Sequence, residues 1–288
     1  MIGDFIQSWA LFHNTYLTGW AIAVGLSLVG VLTVARNQIF IGAAVTEAST
    51  LGIAVAFWMG TVAGTHDSPW LHSDFFLSAM AVGFSILATL LTARSQRAGG
   101  ESHEAVTGWV FLLAASGSIL LVAHSPHGLE EIHRILASSI IGATDADVWV
   151  FAAGAVLSAV VLGAFHRPIL LIAMDPPMAS ASGVRTTAWS IATSAWTGLL
   201  IGLSIRVSGT LYTFGCLVLP ALVAKNLCRE IRPLLWVSPV IAFTFSLLSF
   251  VLAHHYDYPP AQMTVAILSL ALVLAWGIRS VRRRLGRS

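Results

Sequence analysis

Charged residues are scarce in this chain. Only 10% of its 288 residues are Asp, Glu, Lys or Arg, whereas 57% are hydrophobic. A soluble domain carries about 25% charged residues, so this composition leaves too little polar surface to face water. The shortage of charge excludes an ordinary soluble protein and predicts an integral membrane protein.

Cysteine and lysine are nearly absent too. The two cysteines, Cys216 and Cys228, form no CxxC pair, so neither a disulfide framework nor a thiolate zinc site is supported. Lys225 is the only lysine, and no GxxxxGK[ST] phosphate loop or GxSxG nucleophile elbow occurs. No basic surface is interleaved with aromatic residues, so nucleic-acid binding is not expected. If the chain works with ATP, a separate subunit must hydrolyse it.

Apolar stretches of membrane-spanning length fill most of the chain. A bilayer core needs about 20 apolar residues per helix. The stretches are 16–34, 39–60, 75–93, 106–123, 147–165, 187–205, 210–224, 234–253 and 261–278. The fold is therefore predicted to be all-α, a single polytopic transmembrane domain over residues 1–288 with eight to nine transmembrane helices.

The span at 210–224 decides the count. It is short, and Pro220 within it removes a backbone hydrogen bond and favours a kink, so it is either a crossing or a re-entrant piece. Counting it as a crossing keeps the loop from Lys225 to Arg232 on the basic side and gives nine spans. The first fourteen residues have no positive n-region, so no cleaved signal peptide is predicted.

The loops alternate in charge. All but two of the fifteen Lys and Arg residues lie in one set of loops, the exceptions being Arg134 and Arg206. Cationic loops stay cytoplasmic, which predicts an outside N-terminus and a cytoplasmic C-terminus in a plasma membrane, the inner membrane of a bacterium. The opposite loops carry His66, Asp67, His72, Asp74, His124, His127, His133, His254, His255 and Asp257. These groups bind divalent metals, so the pattern indicates inward metal transport.

Glu47 is the most informative single residue. It lies in the middle of an apolar span, where a charge costs about 3 kcal/mol, so it is expected to face the bundle interior or a wet cavity. Thr46, Ser49 and Thr50 are its polar neighbours in sequence. We interpret Glu47 as a metal ligand or gate residue on a permeation path; the alternative is a structural glutamate, protonated or hydrogen-bonded between helices.

Two outward segments carry candidate metal ligands. The loop at about 124–146 contains His124, His127, Glu130 and His133, and the end of the eighth predicted span contains His254, His255 and Asp257. Imidazole with carboxylate suits zinc, manganese or iron, although the spacing is not that of a HExxH metalloprotease. The alternative is that these loops are solvated or contact a delivery protein. Arg206 is expected to reach the membrane interface or to pair with Glu47 or Asp257.

The inward segment at about 168–186 is more than a connector. It is predicted to begin extended, to stop at Pro176 and Pro177, and to form a short helix over 178–182 that Gly183 ends. Asp175 precedes that helix as a candidate cap. A short cytoplasmic helix between two spans is an element on which another protein can push.

Four segments in order resemble one family. Residues 31–52 are similar to its RxxxxxGDAxxHASxxG segment, 208–224 to its VGxLLVxALLxxPA segment, 175–184 to its DxxxAxxxG segment, and 256–260 to its DxPx turn. The chain resembles the permease subunits of the zinc and manganese uptake ABC transporters, the ABC-3 family. Two positions depart from the pattern: Ala43 stands where the family usually has Asp, and Glu47 where it usually has His.

The resemblance implies a non-enzymatic permease subunit that works as a homodimer and holds no intrinsic cofactor. It also implies a cytoplasmic ATPase partner that binds ATP and an extracytoplasmic solute-binding protein that delivers a divalent metal, zinc first, with manganese or iron as alternatives. The residues that match its path are Ala43, Glu47, Ser49 and Pro220, and those that match its ATPase-coupling segment are Asp175, Met178, Ala179, Gly183 and Arg185.

Two other functions stay open from the residues alone. One is a proton-coupled secondary metal transporter with Glu47 as the proton relay. The other is an intramembrane metalloenzyme built on the outward His and Glu residues, although no established ligand spacing supports it.

Overall fold

The protein folds as a set of long helices. The computed structural model describes residues 2–62, 73–95, 102–123, 140–228 and 230–285, and these residues contain no β-strand. The helices are α1 (Ile2–Ala35), α2 (Ile39–Val62), α3 (Asp74–Ser95), α4 (His103–Val122), α5 (Asp145–Met174), α6 (Pro176–Ala181), α7 (Thr186–Leu227), α8 (Ile231–Tyr256) and α9 (Pro260–Leu285), with a 3-10 turn at Ile140–Gly142. Among the described residues, all helices except α6 are long and apolar enough to cross a membrane. This confirms the predicted all-α polytopic fold.

The chain divides into two compact units. The first unit comprises Met1–Asn37, Ser139–Pro176 and Gly215–Ser288, and the second comprises Gln38–Ser138 and Pro177–Phe214. Helix α7 therefore contributes its first part to the second unit and its last part to the first.

In the first unit, α1 packs against α5 and α8, and α8 packs against α9. The first half of α1 carries four aromatic rings at spacings of three or four residues: Trp9, Phe12, Tyr16 and Trp20. The ring centroids of Trp9, Tyr16 and Trp20 lie 5.9 to 6.3 Å from one another. Phe250 of α8 joins them at 6.0 Å from Tyr16. This aromatic face explains why α1 begins well before residue 16, where the predicted span starts, since packed rings stabilise added turns.

Hydrogen bonds tie together the helix ends of the first unit. At one end, Asn14 Nδ2 donates to Asp145 Oδ1 at 2.8 Å. At the other, Lys225 Nζ donates to Asn37 Oδ1 at 3.2 Å, and Arg279 Nη1 donates to Asn226 at 2.9 Å. The ends of α1, α7 and α9 therefore lie together, away from the start of α5.

In the second unit, α2 packs against both α3 and α4. Small residues allow the helices to approach closely, as is usual in membrane bundles. A Cβ built on Gly52 of α2 would lie 2.5 Å from the Met80 carbonyl oxygen of α3. A Cβ on Gly202 of α7 would lie 2.6 Å from the Val82 Cα. The first part of α7 therefore packs directly against the backbone of α3.

Helix α7 is broken at Gly209. This residue has φ 75° and ψ 172°, a region that is essentially restricted to glycine. Pro220, which was predicted to favour a kink, lies eleven residues further along the same helix, where the backbone angles stay helical. Glycine supplies the break because it alone reaches these angles without a Cβ clash.

Helix α5 corrects the prediction for the inward segment. The stretch after residue 165 was expected to begin extended, but α5 continues to Met174. Phe165 has non-helical angles, φ −112° and ψ 22°, three residues before Pro168. The proline thus lies in the first turn of the continuing helix, where its missing N–H costs little, and the chain bends instead of uncoiling.

Candidate functional site

Glu47 lies on the least buried line of α2. Ala43, Glu47, Leu51 and Val55 are half-buried at spacings of four residues, whereas the residues between Ala43 and Glu47 are buried. Among the described residues, none forms a hydrogen bond or ion pair with the Glu47 carboxylate. The side chain is therefore not held as a structural partner between the helices of its unit, and its oxygens are available to a cation.

The hydroxyl groups near Glu47 are used elsewhere. Thr46 Oγ1 donates to the Ala43 carbonyl at 2.8 Å, and Thr50 Oγ1 to the Thr46 carbonyl at 3.2 Å. Ser49 Oγ, fully buried, donates to the Ala81 carbonyl of α3 at 3.1 Å. Such bonds to backbone carbonyls are the usual way to satisfy a hydroxyl in an apolar helix. The two threonines therefore bond within α2, and Ser49 links α2 to α3.

Pro220, the other residue that the resemblance placed on the path, is buried in the last part of α7. The neighbouring helix turn approaches α1 so closely that a Cβ on Gly30 would overlap the Leu217 carbonyl group. In the first unit, Pro220 thus belongs to a tightly packed contact between helices. Its part in a permeation path stays a prediction.

Arg206 pairs with neither acidic residue that the sequence suggested. Arg206 Nη1 lies 3.6 Å from Asp74 Oδ1, at the start of α3 in the same unit. The Asp74 side chain is 82% exposed and that of Arg206 26%, so water screens the pair and its stabilisation is small. The predicted alternatives, Glu47 and Asp257, were wrong because antiparallel packing of α7 on α3 brings residue 206 to the first turn of α3.

The C-terminal end of α8 carries two of the predicted histidines and is followed by the predicted aspartate. His254 is half-buried, and His255 is exposed with its ring 4.9 Å from that of Tyr256. Asp257 ends the helix with left-handed angles, φ 56° and ψ 39°, and Tyr258 N–H donates to the Ala253 carbonyl at 2.9 Å. Asp is one of the few residues that tolerate this conformation. Asp257 therefore allows the chain to turn at the end of α8.

The described residues bring no metal cluster together. No group of three or more His, Cys, Asp or Glu is close enough to hold a metal ion within these ranges. Seven residues of the predicted outward loops lie outside the described residues: His66, Asp67, His72, His124, His127, Glu130 and His133. A site formed by these loops stays a prediction.

The predicted coupling helix is present as α6. It begins at Pro176, two residues earlier than expected, and Gly183 follows it with φ 78°. Gly183 N–H donates to the Ser180 carbonyl at 3.0 Å and Val184 N–H to the Ala179 carbonyl at 3.1 Å. This pair of bonds is a Schellman motif, which requires a left-handed residue where Gly183 stands. The C-terminus of α6 is therefore capped by its own backbone hydrogen bonds.

The surface of α6 is suited to contact another molecule. Ala179 is fully buried, whereas Met178 is 59% exposed, and Asp175, Gly183 and Arg185 are also exposed. A buried alanine anchors the helix while a flexible methionine side chain is presented outward, and methionine adapts readily to a partner's surface.

Sequence reasoning missed one well-formed feature at the outward side. Thr144 Oγ1 accepts from the Asp147 backbone N–H at 3.3 Å, and Asp147 Oδ2 accepts from the Thr144 N–H at 2.9 Å. This capping box fixes the start of α5. The Thr-x-x-Asp spacing before an apolar run is a known signal for such a start, so it could have been found.

Known proteins share both sequence and fold with this chain. The manganese import system permease protein ScaB of Streptococcus gordonii is 22% identical over 290 residues, covering 100% of this chain and 99% of the relative. The manganese transport system membrane protein MntB of Synechocystis is 25% identical over 205 residues, covering 71% of this chain and 66% of the relative. The similarity is spread along the length.

A solved structure has the same fold. PsaBC from Streptococcus pneumoniae, in complex with Fab, superposes with a TM-score of 0.78 at 17% identity, covering 96% of this chain and 95% of that one. The sequence pattern of the ABC 3 transport family matches residues 8–278. The chain belongs to the ABC 3 transport family.

Proposed function

We propose that the chain is the permease subunit of an ATP-binding cassette importer for a divalent metal ion, with Glu47 on the path. Membership of the ABC 3 transport family and relatives whose names describe manganese import support this proposal. The observation that carries it is a glutamate in an apolar helix with no partner among the described residues. An ionisable residue inside a membrane span is by default a candidate for a functional site.

We infer nine crossings from the helix ends of the first unit. The hydrogen bonds from Lys225 to Asn37 and from Arg279 to Asn226 put the ends of α1, α7 and α9 at one membrane face. The start of the α1 span is at the other face, so the chain crosses an odd number of times. Eight candidate helices give nine crossings when α7 crosses twice.

Helix α7 is long enough for two crossings. Its 42 residues would measure about 63 Å as one straight helix, roughly twice the 30 Å bilayer core. The break at Gly209 separates 23 residues from 18, and each part suffices for a crossing. The inferred order puts α6 on the face that also holds Arg36 and Lys225, which is cytoplasmic by the charge rule.

On that face, α6 is the proposed docking point for a cytoplasmic ATPase. The Schellman motif keeps its end rigid, so a push on the exposed Met178 is transmitted to the start of α7 and not lost in a flexible loop. An extracytoplasmic solute-binding protein would deliver the ion, and a second copy of the chain would complete the path. These partners follow from the family resemblance.

The donor set favours manganese over the zinc expected from sequence. Ala43 and Glu47 stand where the family usually has an Asp and His pair, which leaves one oxygen donor and no imidazole on this face. Carboxylate suits manganese better than imidazole does, whereas zinc readily takes nitrogen ligands. The manganese names of the relatives agree with this preference.

The test is uptake of radioactive manganese and zinc by the complete transporter in membrane vesicles. Glu47→Gln keeps the shape of the side chain and removes its charge, so we expect transport to fall by about tenfold or more because a charged ligand is lost. Assembly with the ATPase and thermal stability should be unchanged.

The matched control is Glu104→Gln, which removes an exposed glutamate from the first turn of α4. It should transport normally. Normal uptake of both metals by the Glu47→Gln variant would remove Glu47 from the mechanism, and ATP-independent uptake driven by a proton gradient would favour the secondary transporter instead.

A further inference from the structure

A cavity of about 370 Å³ lies in the first unit between α5 and α8. This is within the range of small-molecule sites, about 300 to 1,000 Å³. Its lining is Leu162, Gly163, His166, Glu230, Arg232, Pro233, Leu235 and Trp236. The lining combines apolar side chains with one carboxylate, one guanidinium and one imidazole, so the cavity suits an amphipathic ligand.

The charged groups of the cavity are available. Neither Glu230 nor Arg232 forms a hydrogen bond or ion pair with another described residue. Glu230 is the residue that precedes α8, and its side chain does not cap the helix. A carboxylate and a guanidinium that line one cavity without neutralising each other can bind a ligand that itself carries both charges.

His166 adds a second acceptor. Its Nδ1 lies 2.9 Å from the Gly163 carbonyl oxygen, and because a carbonyl can only accept, Nδ1 carries the hydrogen. When this ring is neutral, its Nε2 is bare and accepts a hydrogen bond. With Glu230, the cavity offers two acceptors for a cationic N–H group and one guanidinium for an anion.

The depth of the cavity points to a lipid. On both helices the sequence changes at this level from apolar to charged, at His166 and Arg167 on α5 and at Arg232 on α8. Trp236 lies one turn further into the α8 span, is 55% exposed, and has its ring against Gly163. Tryptophan is enriched where the hydrocarbon meets the headgroups, so the cavity sits at headgroup level.

We propose that this cavity binds the headgroup of a zwitterionic phospholipid with a primary ammonium, of the phosphatidylethanolamine type, in the cytoplasmic leaflet. Arg232 binds the phosphate, Glu230 and His166 accept from the ammonium, and the acyl chains run beside Leu162 and Trp236. The inference uses only the membrane orientation of the proposed function, and binding can be measured without transport.

The experiment is native mass spectrometry of the complete transporter exchanged into mixtures of phosphatidylethanolamine, phosphatidylcholine and phosphatidylglycerol. We expect one tightly retained phosphatidylethanolamine for each permease chain. Phosphatidylcholine should bind about tenfold more weakly because its quaternary ammonium has no N–H to donate, and a hydrogen bond to a charged group is lost.

Variants separate the two ends of the headgroup. Glu230→Gln should weaken phosphatidylethanolamine about tenfold and leave phosphatidylglycerol unchanged, while Arg232→Gln should weaken both. The controls Glu104→Gln and Arg279→Gln change exposed groups of the same types elsewhere and should retain the lipid fully.

Three outcomes would overturn the proposal: equal retention of all three lipids, loss of lipid in the controls to the same degree as in the two variants, or equally tight binding of soluble glycerophosphoethanolamine, which would identify a free ligand instead of a lipid. None of these results bears on metal uptake by the Glu47→Gln variant, so the two proposals fail separately.

Discussion

At the scale of single residues, the chain differs from its family at the positions that would touch the ion. Ala43 and Glu47 lie on one face of α2, four residues apart and both half-buried. Residues at this spacing lie one above the other on a helix, so the usual pair would present two ligands together. Here the same face presents one carboxylate, and the proposed preference for manganese rests on these two differences.

The double variant Ala43→Asp with Glu47→His tests this reading. It places a carboxylate and an imidazole on the face, so we expect the ratio of zinc to manganese uptake to rise about tenfold because a nitrogen ligand favours zinc. The measurement is competitive uptake of the two radioactive metals, with Ala43→Asp alone as the control. An unchanged ratio in the double variant would show that α2 does not select the ion.

At the scale of helices, glycine fixes how closely the elements pack. A Cβ on Gly202 would lie 2.6 Å from the Val82 Cα, and one on Gly198 would lie 2.9 Å from the Ile86 Cα. Both contacts involve backbone atoms, which cannot rotate away as a side chain can. Together they define the line along which the first part of α7 rests on α3, from Gly198 to the Arg206 and Asp74 pair.

We expect Gly202→Val to destabilise the permease by about 2 kcal/mol, because overpacking forces the two helices apart. The measurement is the thermal midpoint of the purified protein in detergent. Gly83→Ala is the matched control, since Gly83 lies on α3 with nothing within 4 Å of its Cβ position, and alanine favours a helix by about 1 kcal/mol. Equal midpoints for the two variants would contradict the close contact.

At the scale of the whole molecule, the proposed number of membrane crossings depends on one residue. Without the break at Gly209, α7 would be a single span and the two ends of the chain would lie on the same side. In the proposed nine-crossing order, the break places the basic helix ends and α6 on the cytoplasmic face. That order would put α6 where the proposed ATPase partner can reach it.

Accessibility of engineered cysteines tests the nine-crossing order. After Cys216 and Cys228 are replaced, Ala146→Cys at the start of α5 should react with a membrane-impermeant thiol reagent in intact cells, and Ser180→Cys on α6 should react only after permeabilisation. Both native positions are exposed, so reactivity reports the side of the membrane. The reverse pattern would exclude α6 as a cytoplasmic contact. Ser280→Cys, at an exposed position of α9, reports the count: it should be protected like Ser180→Cys if α7 crosses twice, and labelling of Ser280→Cys but not Ser180→Cys in intact cells would mean that α7 crosses once.

The amino-acid sequence determined the membrane fold, the approximate spans, the position of Glu47 and the short helix ended by Gly183. These depend on local chemistry: apolar length, the cost of a charge in lipid and the freedom of glycine at positive φ. The tertiary structure decided what local patterns do not contain. It placed a break in α7 at Gly209, paired Arg206 with Asp74, and directed the hydroxyl of Ser49 to a carbonyl of α3. Each of these depends on which helices pack together, and that is set by contacts between residues far apart in the chain.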